Sequence, residues 1–73
     1  MPKLNRLSSR KIIKKLLKIG FVKSHQRGSH LVMMKEKKIV VIPIHGSKDI
    51  PIGTLYNIVV KQAGLSIEEF NNL

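Results

Sequence analysis

The chain has 73 residues and no cysteine, and its 14 lysines and arginines against 4 acidic residues give a formal net charge of +10. A chain of this length buries only about 60% of the surface that its unfolded form exposes, so we expect any functional site on an open face rather than in an enclosed chamber. The absence of cysteine excludes a disulfide framework and a thiolate zinc site.

The positive charge is unevenly distributed. Residues 1–35 contain ten basic side chains and no acid, whereas residues 36–73 contain four of each. Such a field favours a polyanionic partner, which includes RNA, DNA, an anionic membrane and an acidic protein. The longest apolar run, residues 39–42, is too short to span a bilayer, and the N-terminus lacks the apolar segment of a signal peptide. We therefore expect a cytoplasmic protein with no membrane association.

In chain order, residues 1–7 are predicted to form an N-terminal arm of a single domain over residues 1–73. Ser8 or Ser9 can accept a hydrogen bond from a free amide and cap a helix. The apolar residues that follow recur at helical spacing, with lysines on the opposite face, and Gly20 can take the left-handed conformation that ends a helix. The pattern predicts an amphipathic first helix.

Three short extended segments are predicted next, over residues 21–26, 30–34 and 39–42, and their short connections indicate antiparallel hairpins. A second helix is predicted to begin near residues 51–53, and the Ser-Ile-Glu-Glu capping box at residues 66–69 opens a last short helix. The predicted fold is α+β, in the order α-β-β-β-α with a short C-terminal helix. Its three-stranded antiparallel sheet is covered on one face by helices.

Three histidines, His25, His30 and His45, are candidates for proton transfer near neutral pH. RNA cleavage without a metal needs a base for the ribose 2′-hydroxyl, an acid for the leaving 5′-oxygen and cations for the phosphorane. His30 stands out because it follows Gly28 and Ser29 and begins a predicted strand, where its position is firmer than on a loop.

The other two histidines are weaker candidates. His45 is a second candidate acid/base or a phosphate contact, and His25 is read as a surface residue without a role. Ordinary structural roles, at a strand end for His30 and in a solvated loop for His45, stay open on spacing alone. No His-x-x-x-His pair and no neighbouring carboxylate occurs, so we expect neither a metal site nor a cofactor.

The first helix carries like charges four residues apart, and each such pair costs about a few tenths of a kcal/mol. This repulsion, with no acid to relieve it, indicates an anion-binding face, although a solvated lysine face is the alternative. Aromatic residues are only 4% of the chain, which favours recognition of the nucleic-acid backbone over base stacking. The predicted RNA contacts are Lys11, Lys14, Lys15, Lys18, Lys23, Arg27 and Ser29.

Five short stretches in this order resemble the HicA toxin family, messenger-RNA interferases of bacterial and archaeal toxin–antitoxin systems. They are Leu-Lys-Ile-Gly-Phe at residues 17–21, Gln-Arg-Gly-Ser-His at 26–30, Val-Ile-Pro-Ile-His at 41–45, Ile-Gly-Thr-Leu at 52–55 and Gln-Ala-Gly-Leu-Ser at 62–66. The resemblance covers the chain from about Ser8 to Phe70.

This resemblance implies a fold like that of a double-stranded-RNA-binding domain, with His30 as the catalytic residue. It also implies metal-independent endoribonucleolytic cleavage of mRNA, growth arrest, and neutralisation by a HicB-like antitoxin that masks the histidine. Two rival readings fit the basic composition: a non-catalytic RNA-binding module of the double-stranded-RNA-binding type, and an interaction domain for an acidic protein.

Overall fold

The structure is a computed structural model, and it describes residues 2–44 and 46–73. Its elements are α1 (Ser9–Lys18), β1 (Val22–Arg27), β2 (His30–Lys35), β3 (Lys38–Pro43), α2 (Ile52–Tyr56), which continues as a π-helical segment (Asn57–Gln62), and α3 (Ile67–Asn71). The three strands form an antiparallel sheet in the order β1-β2-β3. The predicted α+β fold of the double-stranded-RNA-binding type is confirmed.

Helix α1 begins and ends as its sequence predicts. The Ser8 hydroxyl accepts a hydrogen bond from the Lys11 backbone N–H at 3.4 Å. At the other end Gly20 has a φ of +99°, which an L side chain rarely adopts, and the Phe21 N–H donates to the Leu16 carbonyl at 3.1 Å. This left-handed stop turns the chain directly from α1 into the sheet.

The sheet packs one face against the helices. Leu31 and Met33 of β2 and Val40 and Ile42 of β3 are buried on this face, as the period-2 alternation of a half-covered sheet requires. Phe70 from α3 is also fully buried in the core. Strand β1 differs, because all six of its residues are exposed.

The second helix departs from a regular α-helix. After Tyr56 the chain continues as a π-helix, a rare form with a wider turn that is frequent at functional sites. From the end of this segment the Gln62 side-chain oxygen accepts a hydrogen bond from the Val41 N–H at 2.8 Å. The outer edge of β3 is therefore partly capped. Ile52, predicted on the buried face, is 37% exposed and instead borders a shallow depression that Tyr56 also lines.

The described part of the predicted N-terminal arm, residues 2–7, is held against the rest of the chain. Leu4 is buried, the Leu7 carbonyl accepts from the Ile50 N–H at 2.8 Å, and the Asn71 side-chain amide donates to the Lys3 carbonyl at 2.9 Å. These contacts join the start of the chain to α3.

The capping box of α3 makes stability depend on pH. The Ser66 hydroxyl accepts from the Glu69 N–H at 3.0 Å, and the Glu69 carboxylate accepts from the Ser66 N–H at 2.9 Å. The hydrogen bonds with Ser66 hold the pKa of Glu69 below its ordinary value of 4.5. A depressed pKa in the folded state stabilises the fold above the unfolded value, and this stabilisation is lost as pH falls through the folded value.

We therefore expect Glu69→Gln to lower the free energy of unfolding at about pH 7 and to remove part of its decline between about pH 5 and pH 3. Glu68→Gln is the matched control, because Glu68 stands in the same first turn outside the capping box. Denaturant unfolding of both variants at several pH values measures the effect. Identical pH dependence in wild type and Glu69→Gln would contradict the expectation.

Candidate functional site

The face of the sheet turned away from the helices is open, and we call it the outer face. Because Leu31 and Met33 face the helices, their neighbours in β2 face the other way, and the cross-strand partners follow them. The outer face comprises Val22, His25, Arg27, His30, Val32, Met34, Ile39, Val41 and Pro43. It is apolar over most of its area and carries its basic and titratable groups at one end.

His30 is exposed at that end. It is the first residue of β2, paired with Arg27 of β1 on one side and with Pro43 of β3 on the other. Directly opposite residues in an antiparallel pair have Cβ atoms about 4.5–5.5 Å apart, so the Arg27 side chain can reach a phosphate held at His30.

The turn before His30 is held from two directions. Gly28 has a φ of +57°, and its carbonyl accepts a hydrogen bond from the Gln26 side-chain amide at 3.0 Å. The Ser29 carbonyl accepts from the Ile44 N–H at 2.6 Å. His30 thus stands on a strand whose preceding turn is fixed to the loop after β3, as a precise site requires.

An irregularity in β1 changes which side chains face outward. Lys23 pairs with Met33, whereas His25 pairs with Val32, so Ser24 is an extra residue in the strand, a β-bulge. Lys23 shares the side of the sheet with buried Met33, and His25 shares the outer face with Val32. Without the bulge, alternation from Lys23 would place His25 on the helix side.

The bulge residue also contacts His25. The Ser24 hydroxyl lies 3.1 Å from His25 Nδ1, within hydrogen-bond distance. In the ladder His25 is the diagonal neighbour of His30, since it stands opposite Val32, two residues along β2. Diagonal neighbours are typically about 7–8 Å apart, within reach of long or aromatic side chains.

The predicted RNA contacts separate onto different surfaces. Lys23 and Lys14 line a groove between α1 and β1 whose floor is Ile13 and Leu17, and Arg10 completes its wall. We call this the α1–β1 groove. Leu17 is 45% exposed there, and the residues lining the groove are three cations and two apolar side chains.

The remaining helix lysines lie towards the C-terminus. Lys11, Lys15 and Lys18 border a second depression beside Leu73, which Lys14 also reaches. Lys15 is half-buried, donates from Nζ to the Phe70 carbonyl at 3.2 Å and lies 4.9 Å from the centre of the Phe70 ring. Its ammonium group therefore connects α1 to α3.

Arg10 is a basic residue that the sequence analysis left without a role. It borders the α1–β1 groove and two further depressions, one of which is also lined by Lys23, Ile44 and Gly46. Ile44 directly follows Pro43, the cross-strand partner of His30. The available signal was periodicity: Arg10 precedes the groove residues of α1 by three, four and seven positions, the spacing of one helix face.

Other expectations concern residues and groups beyond this geometry. His45, the second candidate acid/base, lies outside the described residues. Within residues 2–44 and 46–73, no three side chains of the types that bind metals lie close enough together to hold an ion. No helix in the described part of the chain is long and apolar enough to cross a membrane.

A three-stranded sheet with helices on one face, a basic first helix and an exposed histidine at the end of the open face define a basic domain of the double-stranded-RNA-binding type. The family model of the HicA toxin of bacterial toxin–antitoxin systems matches residues 9–65, and the chain belongs to this family. None of the curated proteins compared with the chain matches it. Membership in a toxin–antitoxin family implies an antitoxin partner.

Proposed function

We propose that this toxin is a cytoplasmic endoribonuclease that cleaves mRNA without a metal ion, and that a HicB-like antitoxin neutralises it. The observation that carries the proposal is the position of His30. It is exposed, begins a strand, stands directly opposite Arg27 and follows a turn fixed by two hydrogen bonds.

The proposed reaction is transesterification at one phosphodiester. A base accepts the proton of the ribose 2′-hydroxyl, the 2′-oxygen forms a bond to phosphorus, and the bond from phosphorus to the 5′-oxygen breaks as an acid protonates that oxygen. His30 supplies one of these two transfers. Arg27 stabilises the additional negative charge of the phosphorane, because a guanidinium binds phosphate oxygens in a bidentate manner.

Further basic residues bind the flanking phosphates. Lys14, Lys23 and Arg10 would hold the RNA strand in the α1–β1 groove, and Ser29 contributes at the turn beside His30. Lys11 and Lys18 add to the field that attracts RNA. Lys15 contributes least, because its ammonium group already contacts Phe70. His45 remains a proposed phosphate contact or acid/base.

Incubation of the purified toxin with a defined mRNA tests the proposed activity. We expect fragments that end in 2′,3′-cyclic phosphate and begin with a 5′-hydroxyl, equal rates with and without a chelator, and inhibition by the antitoxin. Retained RNA binding without fragments would support the non-catalytic RNA-binding module instead. Loss of cleavage on chelation would contradict the metal-independent mechanism.

A further inference from the structure

We propose that His25 is the second proton-transfer group and acts with His30 on the same phosphodiester. The inference rests on the proposed ribonuclease function and assigns the transfer that His30 leaves open. Two features of β1 carry it: the bulge at Ser24, which determines the face on which His25 lies, and the hydrogen bond that orients its ring.

The bulge brings the two histidines to one face. The chain enters β1 from buried Phe21, and Lys23 two residues later is still on the helix side. Strict alternation would keep His25 there as well. The extra residue shifts the phase by one, so that His25 joins His30 on the outer face. Bulges are frequent next to active sites, where they redirect a side chain in this way.

The contact with Ser24 leaves the reactive nitrogen of His25 free. Because Nδ1 lies 3.1 Å from the Ser24 hydroxyl, Nε2 is the ring nitrogen available to substrate. An imidazole whose Nδ1–H donates to the hydroxyl presents Nε2 as a base when neutral and Nε2–H as an acid when protonated. His25 is exposed, so RNA can reach it from solvent.

The surroundings suit a site for a phosphate between the two rings. Arg27, two residues after His25 on the same face, stands directly opposite His30, and neither β1 nor β2 contains an acidic residue. One histidine accepts the 2′-hydroxyl proton while the protonated partner donates to the leaving 5′-oxygen. The O2′–P bond forms as the P–O5′ bond breaks, so the substrate gains and loses one proton and no cofactor is consumed.

The variant His25→Gln tests the role, because glutamine retains polarity but cannot transfer a proton. We expect RNA cleavage to fall by about 10²–10⁴-fold, the usual contribution of a positioned acid or base. The dependence of the rate on pH should lose one of its two limbs. RNA affinity, measured in the presence of His30→Ala so that the RNA stays intact, should change little.

Two further variants separate chemistry from structure. His25→Ala should recover part of its activity on addition of free imidazole, which a purely structural role would not allow. Ser24→Ala keeps the imidazole and removes only the hydroxyl, so its loss of rate should be smaller than that of His25→Gln.

The result that would overturn the inference is cleavage by His25→Gln at the wild-type rate with both limbs of the pH profile present. A rate that falls only in proportion to RNA affinity, with no rescue by imidazole, would also overturn it. Failure of the proposed function itself appears differently, as a wild-type protein that does not cleave RNA or a His30→Ala variant with full activity.

Discussion

The substitution His30→Ala is expected to lower the rate of RNA cleavage by about 10²–10⁴-fold and to leave RNA affinity nearly unchanged, because the histidine transfers a proton whereas the cations supply binding. His30 is exposed and its side chain is outside the core. Removal of an exposed side chain usually changes the free energy of unfolding by less than about 0.5 kcal/mol. Cleavage kinetics, affinity and denaturant unfolding on one preparation measure the three quantities.

Ile39→Ala is the matched control for this substitution. Ile39 is 53% exposed on the same outer face, and its partner Met34 stands at the opposite end of β2 from His30. It should retain cleavage close to that of wild type, which would exclude a general perturbation of the face. Full activity of His30→Ala would refute the assignment of His30 to proton transfer.

The order of the elements could be predicted from the sequence because local signals agree with the packing. Ser8 and Gly20 bound α1, and Ser66 with Glu69 begins α3, and in each case one side chain or one backbone conformation decides the end of the helix. The π-helical segment could not be predicted in this way. Its residues have ordinary helical spacing, and the contact between Gln62 and the edge of β3 depends on tertiary packing.

The candidate site was only partly predictable, because its make-up depends on cross-strand register. Gly-Ser-His marks His30 in the sequence, but nothing local identifies Ser24 as the extra residue of β1, and so the face of His25 was not determined. The uniform lysine stripe of α1 likewise concealed a difference. Lys15 packs against Phe70, which is 55 residues away in the chain, whereas Lys14 reaches the α1–β1 groove.

The α1–β1 groove gives the second large expected effect, on RNA affinity. The double variant Arg10→Gln/Lys23→Gln removes two of the three cations that line it. For single-stranded RNA each phosphate contact contributes about 0.7 to the slope of log K against log salt. We expect the slope to fall by about 1.4, and the affinity near 0.15 M salt to fall by about fourfold per contact. Filter binding or fluorescence anisotropy over a range of salt concentrations, in the His30→Ala background, measures both.

Lys18→Gln is the control that makes this expectation specific. It removes the same charge from the same helix, but Lys18 borders the depression beside Leu73 rather than the groove. If RNA phosphates lie in the groove, each groove substitution lowers the slope and Lys18→Gln leaves it almost unchanged. If the excess of positive charge acts only as a diffuse field, all three single substitutions weaken binding equally. Because net charge is the same in each single variant, a difference between Lys23→Gln and Lys18→Gln reports the position of the RNA strand and not the charge of the protein.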